Sequence, residues 1–388
     1  MLFKRKIYNK FLAWKQEANG QKALLVEGAR RIGKSTVVEE FAKNEYKSYI
    51  LIDFAKAPEN VKSYFQLHLN DLDTFYMLLS VQYGVQLYPR ESAIIFDEVQ
   101  LFPRARSAIK YLVADGRYDY IETGSLISIR ENVKDILIPS EEDHVDMYPL
   151  DFEEFLWANG NDTMMDFIRD CYRKKAPLGQ ALHRKAMDLF RQYLIVGGMP
   201  QAVNAFVKHN DFDEVDRVKR RILNLYRDDI RKHAKGYEMK VEAIYDEIPS
   251  QMKNQNQHFK LSSLKQGARF DEYKDAMFWL SDAMIVNHCY NATEPTFGLN
   301  LNRDRTLLKC YMGDTGLLIS HAFDENGIVT GEVYKKLLLD KLEVNMGMVI
   351  ENMVAQMLTA SGHKLYFYSN SSRSDASSRM EIDFLIAK

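Results

Sequence analysis

The run Gly28-Ala29-Arg30-Arg31-Ile32-Gly33-Lys34-Ser35 has the residue types and spacing of a loop that folds its backbone N–H groups around a polyphosphate. In such a loop Lys34 reaches the β- and γ-phosphates and the Ser35 hydroxyl ligates Mg²⁺, while Thr36 completes the phosphate-binding set in the helix that follows. A second set of candidates lies at Ala93-Ile94-Ile95-Phe96-Asp97-Glu98, an apolar run closed by two acids. Asp97 suits Mg²⁺ held through its water shell, and Glu98 suits the orientation or activation of an attacking water. In Thr123-Gly124-Ser125, Thr123 either offers a hydroxyl that senses a γ-phosphate or forms an ordinary threonine turn. Glu98, Lys34 and Thr123 are thus the candidate catalytic residues, Gly28 through Thr36 the nucleotide-binding ones, and Ser35 and Asp97 the metal ligands. The cofactors implied are ATP and Mg²⁺.

A parallel sheet is the scaffold that positions such groups. Residues 22–27 read as a short buried strand and 34–43 as the opening of a helix, giving strand, glycine loop, helix. Residues 48–53, 93–98 and 118–122 read as further strands alternating with helical patterns. Parallel strands buried on both faces are apolar throughout, and open sheets of this kind hold their ligands at the carboxyl ends of the strands. The expected fold is therefore α/β, a P-loop NTPase sheet with helices on both faces. Residues 132–149 turn irregular and acidic and read as a connection leaving the sheet.

The chain has 388 residues, which at about 150 per domain makes two or three domains. With 46% hydrophobic and 27% charged residues it has an ordinary globular composition. A net charge of −2 gives no global pull toward nucleic acid or membrane, so any such site must be a local patch. Cys171, Cys289 and Cys310 have neither metal-ligand spacing nor the even count of a disulfide framework, which fits a reducing compartment. Residues 1–9 lack the apolar core of a signal peptide, and no apolar run reaches membrane-spanning length. The expected location is cytoplasmic, with no membrane partner.

Beyond the sheet, Asp151 with Glu154 three residues later reads as a capped helix start. Helical patterns continue to Lys235, broken at Gly197-Gly198-Met199-Pro200. Arg217, Arg220, Arg221, Arg227, Arg231 and Lys232 crowd one helix, either as a phosphate-contacting face or as a solvated face balanced by acids elsewhere. Residues 259–290 read as two short helices and a β element, compatible with a winged helix that could bring Lys260, Lys265 and Arg269 to DNA, or with a spacer. Residues 340–360 read as a helix with Gly347, Glu351 and Ala355 on one face, and 365–368 and 382–386 as strands. Glu351 and Asp383 could then converge as a second, metal-holding site, or remain a satisfied acid and a surface acid.

With these residues assembled, the chain resembles a family of prokaryotic AAA-type ATPases whose C-terminal region is related to PD-(D/E)XK nucleases. The markers are the Gly28–Ser35 loop, Phe96-Asp97-Glu98-Val99-Gln100, Thr123-Gly124-Ser125, Tyr148-Pro149-Leu150-Asp151-Phe152-Glu153-Glu154-Phe155, Gly197-Gly198-Met199-Pro200, Gly313-Asp314-Thr315-Gly316-Leu317-Leu318 and Glu381-Ile382-Asp383-Phe384. The resemblance implies an ATPase domain over 1–150, a helical connector over 151–235, a winged-helix-like segment over 236–330 and a small α+β nuclease-like module over 331–388. It implies ATP/ADP as ligands and leaves DNA as the candidate partner, with the oligomeric state open. Two departures matter. Where relatives carry a Gly-Arg pair this chain reads Ile138-Pro139-Ser140-Glu141-Glu142, so Arg117, Arg130 and Arg106 are the substitutes for an arginine finger. The nuclease-like signature also needs a later acid-x-lysine; Lys388 points away from the face of Asp383, and the module reads as incomplete. The expected function is ATP hydrolysis whose nucleotide state controls the C-terminal half, acting on DNA. The alternatives are a regulatory switch working through protein contacts without nuclease activity, and a metal-dependent nuclease gated by ATP.

Overall fold

A computed structural model describes residues 2–125, 140–253, 258–323, 346–370 and 380–387. The described chain divides into two compact units, residues 2–148 and 149–388.

In the first unit, β1 (Ala23–Glu27), β2 (Ser48–Asp53), β3 (Ser92–Asp97) and β4 (Asp119–Gly124) are joined by crossovers through α2 (Lys34–Glu45), α3 (Glu59–Leu67), α4 (Leu72–Tyr83) and α5 (Pro103–Asp115). A further strand, β5 (Glu142–Asp146), completes a five-stranded, all-parallel sheet of order β2-β3-β4-β1-β5. Every residue of β1, β3 and β4 is buried; β1 and β3 read as apolar runs for that reason, while β4 carries the buried polar residues Asp119, Glu122 and Thr123. On one face Ile50, Ile52, Ile94 and Phe96 pack with Phe65, Phe75, Leu79 and Ile109 from the crossover helices. On the other, α1 (Ile7–Ala18) packs on α2 through Phe11 and Phe41, whose rings meet edge to face at 5.4 Å. Residues 142–146 correct the reading of 132–149 as a departing connection, because they pair along the whole of β1. Their polar sequence suits an edge strand, and its charges are met locally: Arg106 pairs with Glu142 at 2.7 Å, and His144 with Glu27 at 2.9 Å.

The second unit is helical from Phe152 to Lys253, with Asp151 and Glu154 forming the expected reciprocal cap. Three basic residues of helix Phe212–His233 are held in intramolecular pairs, Arg220 with Asp216 at 2.7 Å, Arg227 with Asp246 at 3.0 Å and Arg231 with Glu242 at 2.9 Å. After helix Phe270–Asp282 come the antiparallel pair β6 (Val286–Ala292) and β7 (Arg303–Met312). They share a four-stranded sheet, order β7-β6-β8-β9, with β8 (Leu365–Asn370) and β9 (Met380–Leu385). Strands from both sides of residue 330 thus form one sheet, with helix Met346–Ala360 against β6, β7 and β8. The sheet is strongly curled, since Tyr311 on one edge strand meets Phe384 on the other at 5.6 Å between ring centroids. Residues 340–345, expected at the start of that helix, lie outside the described residues.

Two glycine motifs interlock in this unit. The Gly198 N–H donates to Asp314 at 2.6 Å, and the Leu150 N–H donates to the Gly198 carbonyl at 2.7 Å. A Cβ on Gly198 would lie 2.0 Å from the Leu150 oxygen, and one on Gly316 would lie 2.4 Å from the Val196 oxygen. Backbone meets backbone there, and only glycine fits. Asp314 also caps the next helix by accepting from the Leu317 N–H at 2.9 Å.

Candidate functional site

Because β4 lies between β1 and β3, the strand order brings three strand ends side by side: the phosphate loop after β1, Thr123 on β4 and Asp97 at the end of β3. The Ser35 hydroxyl donates to Asp97 Oδ1 at 2.7 Å, and the Thr123 hydroxyl donates to the same oxygen. Asp97 and Thr123 are buried, while Thr36 faces outward on the first turn of α2.

The loop itself is held from outside. A Cβ on Gly28 would come within 2.4 Å of the Met147 carbonyl, so this position must be glycine. Arg5, buried, donates to the Ile32 carbonyl at 3.1 Å and to the Tyr148 carbonyl at 2.6 Å. Ala29 and Ile32 are buried, whereas Arg30 and Arg31 are exposed, and Arg31 takes a left-handed backbone with φ of 68°. Gly33 caps α2, so Lys34 and Ser35 open the helix at its positive end. Lys34 Nζ donates to the carbonyls of Gly28 and Ala29, each at 2.9 Å. Among the described residues no carboxylate comes within ion-pair distance of it, and burial lowers its pKa from 10.5 to about 8 against the pull of Glu98 and Asp97. A buried ammonium facing its own loop's carbonyls is matched by an anion that brings charge to it. Hydroxyl and carboxylate oxygens at Ser35, Thr123 and Asp97 are the hard donors that Mg²⁺ prefers. The residues present therefore fit a magnesium-bound nucleotide.

Glu98 lies beyond the end of β3 with φ of 54°, a strained conformation of the sort that clusters at working sites. The side-chain amide of Gln100, itself buried, donates to the Glu98 carboxylate. Neither Gln100 nor Arg5 was visible to sequence reasoning as a member of the site. The Gln100 contact follows from the turn Val99–Leu101, and the Arg5 contacts span 27 and 143 positions of sequence.

Two of the substitutes for an arginine finger are engaged by carboxylates of this unit. Arg106 is buried beneath the sheet end between Glu122 and Glu142, at 3.2 and 2.7 Å. Arg117 is paired with Asp115 and Asp73 and lies over the Tyr76 ring. Arg130 lies outside the described residues.

In the second unit Glu351 and Asp383 are brought to a common partner that the sequence did not suggest. Lys309 on β7 places Nζ 3.1 Å from Glu351, 3.2 Å from Asp383 and 3.8 Å from Glu381, and the Tyr311 hydroxyl donates to Glu351 at 2.5 Å. The carboxylates hold Lys309 above the usual lysine range in spite of its burial. An ammonium thus supplies the cation between the two acids. Among the described residues no three His, Cys, Asp or Glu side chains are grouped to hold a metal ion. Lys388 lies outside the described residues.

A glycine loop between β1 and α2, on a parallel sheet of this order with an acid at the end of β3, defines a P-loop NTPase fold. Residues 20–156 match the family model described as an AAA domain. Residues 187–326 match a domain of unknown function, DUF8612. No curated protein matches the chain. Among solved structures, the Walker-type ATPase PABY2304 of Pyrococcus abyssi is similar at 13% identity and a TM-score of 0.44, over 82% of this chain and 96% of that one. The RuvB Holliday junction branch migration motor of Thermotoga maritima is similar at 12% identity and a TM-score of 0.31, over 73% of this chain and 89% of that one. PCH-2 of C. elegans is similar at 11% identity and a TM-score of 0.30, over 54% of this chain and 65% of that one. Among the described residues no helix is long and apolar enough to cross a membrane.

Proposed function

We propose that this chain binds and hydrolyses ATP with Mg²⁺, and that its nucleotide state governs residues 149–388 as an effector. The observation that carries the reading is the meeting of the Ser35 and Thr123 hydroxyls on one oxygen of Asp97, beside a buried lysine that ends in the phosphate loop. Gly28 through Thr36 would hold the phosphates and Ser35 and Asp97 the metal, which when bound neutralises charge on the transferring phosphoryl group. Lys34 adds a positive charge at the same group, without needing to reorganise. Glu98 orients the attacking water and accepts its proton, with its carboxylate held by Gln100. Thr123 keeps the Asp97 carboxylate turned toward Ser35.

The output we favour is regulation through protein contacts. Arg220, Arg227 and Arg231 already serve Asp216, Asp246 and Glu242, and Lys309 already fills the space between Glu351 and Asp383. A second reading, action on DNA, draws support from helix Phe270–Asp282 followed by the β6–β7 pair, the order of elements in a winged helix. The proposed functional layout is the ATPase at 1–150, connector at 151–235, winged-helix-like segment at 236–330 and nuclease-like module at 331–388. We place the chain in the cytoplasm, where its three cysteines, buried and unbonded, would stay reduced.

Steady-state ATP turnover and nucleotide binding in Lys34→Ala, Asp97→Ala and Glu98→Gln test the assignment. The first two should lose Mg-ATP binding or hydrolysis with the fold intact, and Glu98→Gln should bind ATP yet turn it over slowly. Equal loss of nucleotide affinity in Glu98→Gln and Lys34→Ala overturns these roles. Turnover stimulated by DNA at low salt, with the stimulation fading as salt rises, would put the second reading ahead.

A further inference from the structure

Arg5 ties the phosphate loop to the last residues of its own unit. One Nη atom donates to the Ile32 carbonyl in the loop at 3.1 Å, and the other donates to the Tyr148 carbonyl at 2.6 Å. Arg5 is buried, and a guanidinium that spans two carbonyls holds them at a fixed separation. The same two segments also meet at Met147. Its N–H donates to the Glu27 carbonyl at 2.8 Å, and its own carbonyl presses on Gly28, where a Cβ would approach it to 2.4 Å. Residues 147–148 are therefore held at both ends of the loop, by Glu27 and Gly28 at its start and by Ile32 near its finish.

Only Pro149 separates Tyr148 from Leu150, and the boundary between the two units falls there. Proline fixes its own φ and restricts the residue before it, so this piece of chain has little slack. Within the second unit Leu150 is held as closely: its N–H donates to the Gly198 carbonyl at 2.7 Å, and its carbonyl accepts from the Tyr193 hydroxyl at 2.9 Å. That hydroxyl accepts in turn from the Gln356 amide at 3.1 Å, on helix Met346–Ala360, which carries Glu351. We propose that Arg5 is a positioning residue that makes residues 147–150 move with the phosphate loop, so that filling the loop shifts Leu150 and, through Tyr193 and Gln356, helix Met346–Ala360. This coupling rests on the ATP reading above and supplies its path. A ligand shifts a distant group only through contacts it changes, and phosphate changes those of Lys34, drawing Nζ off the Gly28 and Ala29 carbonyls beside Met147.

Amide hydrogen exchange of the full chain, read by mass spectrometry without nucleotide and at saturation with Mg²⁺ and a non-hydrolysable ATP analogue, tests the coupling. In the wild type, peptides containing Leu150, Gly198 and helix Met346–Ala360 should each change rate at least about threefold on binding. Arg5→Gln should weaken the analogue by no more than about tenfold, yet at saturation the rates beyond Pro149 should keep their nucleotide-free values. An arginine with a merely structural role would lower the unfolding temperature and the affinity but leave the response intact once the site is filled. Tyr193→Phe keeps the aromatic packing and lies outside the nucleotide site, so the path remains testable even where Arg5→Gln fails to fold. It should bind the analogue as the wild type does, with the change in helix Met346–Ala360 reduced to about half or less. A full response of that helix in either variant at saturation overturns the coupling. A wild type that binds the analogue with no change beyond Pro149 overturns the coupling alone, whereas a wild type that binds no nucleotide overturns the ATP reading itself.

Discussion

Replacing Lys34 by methionine should stabilise the nucleotide-free protein while removing its function. Burial lowers this lysine from 10.5 to about 8, so at pH 7 holding the ammonium in the fold costs about 3 kcal/mol relative to the unfolded chain. Methionine is similar in length and escapes that cost, but it leaves the carbonyls of Gly28 and Ala29 without their donor, a loss of about 1 kcal/mol for each bond. The net gain is about 1 kcal/mol, or a rise of about 2–4 °C in the unfolding temperature. Mg-ATP at a hundred times its Kd would stabilise the wild type by about 2.7 kcal/mol and the variant not at all. The stability order of the two proteins should therefore reverse when nucleotide is added, as read by thermal unfolding with and without Mg-ATP. The sign of the pH dependence is a second check. Between pH 8 and 10.5 the unfolded chain binds the proton that the folded chain has released, so wild-type stability rises with pH and the variant's advantage shrinks across that window. A variant less stable than wild type at pH 7 without nucleotide, or an advantage that ignores pH, would refute the claim that Lys34 is a charge buried in waiting.

Three further outcomes are expected. Arg106→Met strands Glu122 and Glu142 and should cost about 3–5 kcal/mol in denaturant unfolding; because burial already raises the Glu122 carboxyl, the loss should be smaller at pH 5 than at pH 8. His144 is raised to about 10 by its hydrogen bonds to Glu142 and Glu27, so its stabilisation is complete below about pH 6.5 and is lost as pH rises through 10. With the ring half exposed, that difference between wild type and His144→Gln should be only on the order of 1 kcal/mol, and a difference that grows with pH contradicts the pairing. Lys309→Met leaves Glu351, Glu381 and Asp383 without their cation, and nucleotide-free protein should then bind Mn²⁺ more strongly than wild type in electron paramagnetic resonance titrations; equal binding would show that the ammonium is not what fills the space.

The sheet was legible because burial on both faces favours apolar residues along a parallel strand, so β1 and β3 announce themselves as apolar runs that end where the ligand groups begin. Strand β5 was not legible, because Glu142-Asp143-His144-Val145-Asp146 has no apolar stripe and its pairing with β1 is fixed by partners such as Arg106, 36 positions away. The same physics hid Lys309, whose carboxylate partners lie 42 and 74 positions along the chain. A basic helix could be read from spacing, yet the acids that meet Arg227 and Arg231, Asp246 and Glu242, sit on helix Glu238–Lys253, and no periodicity within one helix reports its neighbour's charges.

The crossing at Gly198 and Gly316 has a consequence for how this chain can change. A core of side chains can trade volume, one residue shrinking as its neighbour grows, so substitutions there can be rescued by partners. Main chain pressed on main chain has nothing to give up: with 2.0 Å between an added Cβ and the Leu150 oxygen, no second substitution makes room. Random mutagenesis followed by selection for suppressors should find compensations throughout the helical unit and none for Gly198. The segments around Leu150, Gly198 and Gly316 must therefore be inherited together, as one indivisible piece of the fold.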